Sequence, residues 1–82
     1  MDVEGISELD SRFLLTLFNM TRGRADEYES KDEVAVLAGV SAAETDSVAR
    51  RLYQARLIRL SDGRDRVCLT RRALTALSLK GY

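Results

Sequence analysis

The side chains best suited to chemistry lie in the second half of the chain, and most of them are arginines. Ser47, Arg50 and Gln54 are spaced three and four apart, so a helix through them would line them up on one face. A guanidinium fork matches the paired acceptors of guanine, a carboxamide matches adenine, and a hydroxyl serves base edge or phosphate. Each good base contact discriminates by ~1–3 kcal/mol. Arg59, Arg64 and Arg66 surround an Asp62-Gly63 pair, and their chemistry is that of phosphate contact. Ser30 and Lys31 open an apolar-periodic run, where free helix amides can hold a phosphate. Arg51, Arg56, Arg71 and Arg72 extend the same basic set. Arg71 and Arg72 fall in the first turn of an expected helix, where the macrodipole disfavours cations. That placement calls for an external anion, or for an acidic surface such as the loop of Asp26, Glu27 and Glu29.

Other chemistry is poorly provided for. The chain has no histidine, and so lacks the commonest general base and metal ligand. One cysteine, Cys68, makes neither a zinc site nor an internal disulfide. There is no glycine-rich phosphate loop and no nucleophile elbow. The expectation is a protein that is not an enzyme, with no catalytic residues, no metal and no cofactor.

Net charge is zero, but its distribution is uneven. Residues 1–40 carry nine acidic and four basic groups, and residues 41–82 carry four acidic and nine basic. Such a split suggests a surface that faces a polyanion, or two faces that neutralise each other in the fold. Asp46 sits awkwardly beside Arg50 if that face meets phosphates. It either accepts from a cytosine amine or pairs with Arg50 one turn on, at about 0.3–0.5 kcal/mol.

These side chains need elements to hold them. With 82 residues the chain makes one domain around one core. A domain this size buries only ~60–65 % of its unfolded surface, so its stability margin is thin. Hydrophobic residues make up 45 % and charged residues 32 %, as in an ordinary soluble globular protein. No apolar run is long enough for a membrane span. The acidic start and the single cysteine lead to a cytoplasmic expectation.

Three serines stand three residues before an acid, at Ser7, Ser30 and Ser41, and the last two read as full capping boxes. They open expected helices over 8–20, 31–38 and 42–55. The first has Leu9, Phe13, Leu14, Leu17 and Met20 on its apolar face and stops at Arg22-Gly23. The second turns Val34, Leu37 and Ala38 inward and ends at Gly39. The third turns Thr45, Val48, Leu52 and Ala55 inward, which leaves Ala43, Asp46, Ser47, Arg50, Tyr53 and Gln54 outside. Residues 24–30 form an acidic loop with a short extended piece near Tyr28. A hairpin over 57–69 follows, with a two-residue Asp62-Gly63 turn. That turn pairs Ile58 with Val67 inside and Arg59 with Arg66 outside, and puts Cys68 on the outer alternation. Like charges directly opposite are destabilising, and phosphate contact would offset that. Thr70 caps a last helix over 71–79, with Ala73, Leu74 and Leu77 inward.

The stretch KDEVAVLAGVSAAETDSVARRLYQARLIRLSDGRDRVCLTRRALTAL resembles winged helix-turn-helix transcription regulators of the MarR-like and related bacterial and archaeal groups. The likeness covers residues 30–77. It rests on Ala35 and Gly39-Val40-Ser41 in the turn, Leu57-Ile58 leading into the wing, and Leu69-Thr70 with Ala73 and Leu77 leaving it. Arg56 and Ala73 stand where those motifs usually have Gly, and the stretch from Gly39 to Val48 is longer than in the shortest units. The resemblance implies a mainly α fold: a three-helix bundle, a two-stranded wing and a C-terminal helix. It also implies that the third helix enters the major groove of double-stranded DNA while the wing touches the backbone. The expected DNA-binding set is then Ser30, Lys31, Ser47, Arg50, Arg51, Gln54, Arg59, Arg64 and Arg66. The alternative is a winged-helix module or adaptor that docks on a protein, which zero net charge and Asp46 favour. Surplus apolar residues at Leu15, Phe18, Leu79 and Tyr82 lead to a further expectation: the two terminal helices pack together, and any homodimer uses them.

Overall fold

The computed structural model describes residues 7–79 and 81. Four helices and a three-stranded antiparallel sheet follow in the order α1 (Glu8–Thr21), β1 (Glu29–Ser30), α2 (Lys31–Ala38), α3 (Ala42–Gln54), β2 (Ile58–Leu60), β3 (Arg66–Leu69) and α4 (Arg71–Leu79). The sheet order is β1-β3-β2. The extended piece expected near Tyr28 is thus a strand on the outer edge of the hairpin. Among the described residues no helix is long and apolar enough to cross a membrane.

Local signals set the helix starts. The Asp10 amide donates to Ser7 Oγ at 3.1 Å, the Glu33 amide to Ser30 Oγ at 3.3 Å, and the Ala73 amide to Thr70 Oγ1 at 3.1 Å. Ser41 differs from expectation. Its hydroxyl donates to the Glu44 carboxylate at 3.0 Å and makes no side-chain bond to the backbone, so that box closes between side chains.

The first three helices end alike. A residue with positive φ closes or follows the last turn, and the next amide reaches back five residues. The Gly23 amide donates to the Phe18 carbonyl, Val40 to Ala35 and Leu57 to Leu52, each at 2.9 Å. The left-handed residues are Arg22 (φ 56°), Gly39 (φ 75°) and Arg56 (φ 63°). Arg56 therefore adopts the geometry that glycine usually provides.

The core gathers Phe13, Leu14 and Leu17 of α1, Val34 of α2, Val48 and Leu52 of α3, and Ile58, Val67, Leu69 and Leu77 beneath the sheet and α4. On α2 the inward position expected for Leu37 goes to Ala35. Leu37 is 64 % exposed and Ala35 is buried. A small side chain lets the helix backbones approach, which turns the wheel toward Ala35 and away from Leu37.

The hairpin register also departs from expectation. Ile58 pairs with Leu69, Arg59 with Cys68 and Leu60 with Val67. Neither Asp62 nor Gly63 takes the positive φ that a two-residue turn demands; Arg64 does, at 59°. The loop is instead closed by the Ser61 amide donating to the Arg66 carbonyl (3.0 Å) and the Arg64 amide to the Ser61 carbonyl (2.8 Å). Ser61 Oγ accepts from the Arg66 amide and donates to Asp65, both at 3.1 Å. A two-residue shift keeps each side chain on its face, so Ile58 and Val67 remain inside. Cys68 is buried all the same. The chain after α1 crosses its face: the Asp26 amide donates to the Leu69 carbonyl at 3.2 Å, and β1 adds to β3.

The terminal helices do not pack as expected. Leu15 and Phe18 lie half-buried against the core, and α1 packs chiefly on α2, α3 and β3. Leu79, at the end of α4, is 84 % exposed. Tyr82 lies outside the described residues.

Candidate functional site

The second half of α3 presents one face to the core and one to solvent. With Val48, Ala49 and Leu52 buried, 3.6-residue spacing turns Ser47, Arg50, Tyr53 and Gln54 outward, and all four are exposed. The hairpin tip stands beside this face. An open cleft of about 470 Å³ is bounded by Asp46, Arg50 and Tyr53 of α3, by Lys31, and by Arg64 and Asp65 of the loop. Arg50 and Arg64, far apart in sequence, thus face one concavity. Neither has an ion-pair partner among the described residues. Arg64 holds its place in the left-handed region at a backbone cost.

Four of the nine expected contact residues are engaged within the fold. Arg51 turns toward α1, where Nε and Nη2 donate to the two oxygens of Asp10 at 2.8 Å each. Asp10 is 2 % exposed, so this fork neutralises a buried carboxylate. The same carboxylate raises the Arg51 pKa above its ordinary value. Lys31 donates to Asp46 at 2.7 Å and is mostly covered. That pair ties the start of α2 to α3 and lowers the Asp46 pKa. Asp46 therefore hydrogen-bonds Lys31, and Arg50 adds only a weaker charge attraction without a direct pair. Ser30 already spends its oxygen on the Glu33 amide, so the start of α2 is a capped end and not an open phosphate seat.

Arg59 donates to Asp26 at 2.7 Å, with both side chains largely exposed. The acidic loop does serve as an internal partner, but for Arg59 and not for Arg71 or Arg72. Arg66 lies opposite Ser30 of β1, so the facing arginine pair does not exist. The mutual repulsion expected from that pair, and the external anion it called for, disappear with it. Arg66 itself is exposed and without an ion-pair partner among the described residues.

A second cleft, of about 680 Å³, opens where α3 ends, β2 begins and α4 starts. Arg56, Arg59, Arg71 and Arg72 line it, with Tyr53 and Gln54. Tyr53 borders both clefts, so the two form one continuous surface. In the sequence Arg59 was expected at phosphate and Arg71 and Arg72 called for an anion or an acidic surface, but nothing there brought them together with Arg56. The local signal that singles them out is the cation pair at the start of α4, directly after the Thr70 cap. Thr70 Oγ1 donates to the Arg56 carbonyl at 2.7 Å, and so joins the end of α3 to that start.

Exposed apolar side chains also stand outside the linings of the two clefts. Val36 (76 % exposed) and Leu37 stand on the outside of α2, next to the exposed acids Asp32 and Glu33. Tyr28 lies over the sheet, and Cys68 beside it raises its phenol pKa. Among the described residues no group of three or more His, Cys, Asp or Glu is placed to hold a metal ion.

No family model matches the chain, and neither a curated protein nor a solved structure matches it.

Proposed function

We propose that this chain is a winged helix-turn-helix domain that binds double-stranded DNA and serves as a cytoplasmic transcription regulator, without catalytic activity. The observation that carries the reading is the exposed face of α3 beside the hairpin tip, with Arg50 and Arg64 unpaired on one concavity. The element order and the tight Gly39 turn between α2 and α3 support it. In this reading α3 enters the major groove, where Arg50 takes a guanine or a phosphate and Gln54 and Ser47 take neighbouring edges. The hairpin is the wing, and Arg64 and Arg66 meet the backbone. Arg51 and Lys31 leave the contact set, because each serves an internal acid. Arg59 joins it only by exchanging Asp26 for phosphate.

The test is a salt series of binding to random-sequence duplex. Affinity should fall steeply with salt, by a log–log slope of about 0.9 for each phosphate neutralised. Arg50→Ala and Arg64→Ala should each weaken binding and flatten the slope. Undetectable binding at low salt would sink the proposal.

A second reading has one observation in its favour. Val36 and Leu37 are exposed beside acidic residues on α2, as on a surface that docks a protein with a basic rim. In that reading the chain is an interaction module or adaptor. Replacing both by Ser should then abolish a partner and leave duplex affinity unchanged. A homodimer through the terminal helices would use Leu79, and sedimentation showing only monomer at high concentration counts against it.

A further inference from the structure

We infer that the cleft between the end of α3, β2 and the start of α4 is a phosphate-binding site built by Arg56, Arg71, Arg72 and Arg59. Four guanidinium groups border one open cleft, and no acidic side chain lines it. Three of them have no ion-pair partner among the described residues. Each is badly placed for the fold alone. Arg56 sits in the left-handed region, where glycine would be cheaper. Arg71 and Arg72 oppose the dipole of their own helix. Around one cleft the like charges repel one another. A dianion between them offsets the mutual repulsion and the dipole penalty together, since planar forks donate in pairs to tetrahedral oxyanions.

Thr70 is already committed, donating to Arg56 and accepting from Ala73, so it adds nothing to recognition. Recognition of the phosphate thus rests on charge, and Tyr53 and Gln54 are the remaining polar side chains of the cleft that face what the phosphate is attached to. Asp26, 2.7 Å from Arg59, is a carboxylate that competes for one fork. The phosphate can come from a nucleic-acid backbone, because Tyr53 joins this cleft to the exposed face of α3, or from a free phosphorylated molecule. The inference goes beyond the proposed DNA contacts of α3 and the hairpin tip, and it does not require them.

The experiment follows backbone amides by NMR while the whole chain is titrated with inorganic pyrophosphate, and separately with random-sequence duplex. The variants are Arg71→Ala/Arg72→Ala and Asp26→Asn, all at exposed positions. In the wild type, shifts should centre on residues 56 and 70–72. The double variant should lose pyrophosphate binding, and its duplex salt slope should shrink by about 1–2. Asp26→Asn should tighten binding about two- to fivefold by freeing Arg59. Duplex binding that is sensitive to the double variant, with no pyrophosphate binding, assigns the site to a nucleic-acid backbone. Pyrophosphate binding without duplex binding assigns it to a free phosphate and overturns the DNA reading alone. If the double variant behaves as wild type in both arms, or shifts fall away from the cleft, the site does not exist.

Discussion

Arg50 and Arg51 are adjacent on α3 and have opposite roles. One turns to solvent beside the hairpin tip, and the other forks onto a carboxylate that water does not reach. Truncating Arg51 leaves Asp10 buried and unpaired. Arg51→Ala should therefore cost about 1–3 kcal/mol, read as a lower urea midpoint, and leave the duplex salt slope unchanged. A variant that kept its stability and lost slope would return Arg51 to the contact surface. Arg56 makes the converse case. Its left-handed backbone costs about 1–2 kcal/mol, against roughly 0.5–1 kcal/mol of extra chain entropy for glycine. Arg56→Gly should thus leave stability unchanged or raise it by up to about 1.5 kcal/mol, while weakening phosphate binding. Arg56→Ala should weaken binding equally with no gain. Marked destabilisation by Arg56→Gly in urea would show that the side chain serves the fold.

At the scale of elements, α2 and α3 are joined by the tight Gly39 turn and by one ion pair, Lys31 to Asp46. The Asp46 pKa is lowered in the fold by its Lys31 partner. A lowered carboxyl pKa contributes stability above the unfolded value, and loses it as pH falls through the folded one. The wild type should therefore lose melting temperature more steeply than Asp46→Asn below about pH 4, the ordinary aspartate range. Parallel curves for the two proteins would mean that the pair does not couple the helices. What was legible at this scale was local. The caps at Ser7 and Thr70, the Gly39 stop and the limits of α2 and α4 depend on residues a few positions apart, and they formed as read, while the Ser30 box formed only by its hydroxyl, without the return bond from Glu33. The hairpin register was not legible. It turns on Ser61 bonding across the loop and on β1 pairing with β3, and β1 is a two-residue strand that no alternation announces. The candidate site divides in the same way. Ser47, Arg50 and Gln54 follow from helical spacing, whereas Arg51, Lys31 and Arg59 were taken by acids 41, 15 and 33 residues away. Cys68 is buried by a loop whose path the strand pattern does not contain.

Over the whole molecule, each of the three longest-range ion pairs joins a residue of the first forty to one of the rest: Asp10 to Arg51, Asp26 to Arg59 and Lys31 to Asp46. Two of them, Asp10 to Arg51 and Asp26 to Arg59, set an acid of the first half against an arginine of the second and so use the opposed charges, whereas Lys31 to Asp46 runs the other way. What remains, besides Arg12 and Arg22 at α1, is a set of arginines without ion-pair partners among the described residues on the α3, hairpin and α4 side. The two populations respond differently to ions. Simple salt screens the exposed pairs, worth about 0.2–1 kcal/mol each, and equally screens the repulsion among the remaining arginines. Sodium chloride should therefore move the melting temperature by only a few degrees, since about 1 kcal/mol corresponds to roughly 4–8 °C in a domain this small. Pyrophosphate at matched ionic strength screens no better, but it binds the folded state alone. At a hundredfold excess over its Kd it adds about 2.7 kcal/mol, which should raise the melting temperature by roughly 10 °C or more beyond the chloride control. Arg71→Ala/Arg72→Ala should abolish that difference and leave the chloride curve nearly unchanged. Identical curves for the two anions in the wild type would mean that the surplus arginines are solvated charge, and that the asymmetry between the halves serves only to draw them together.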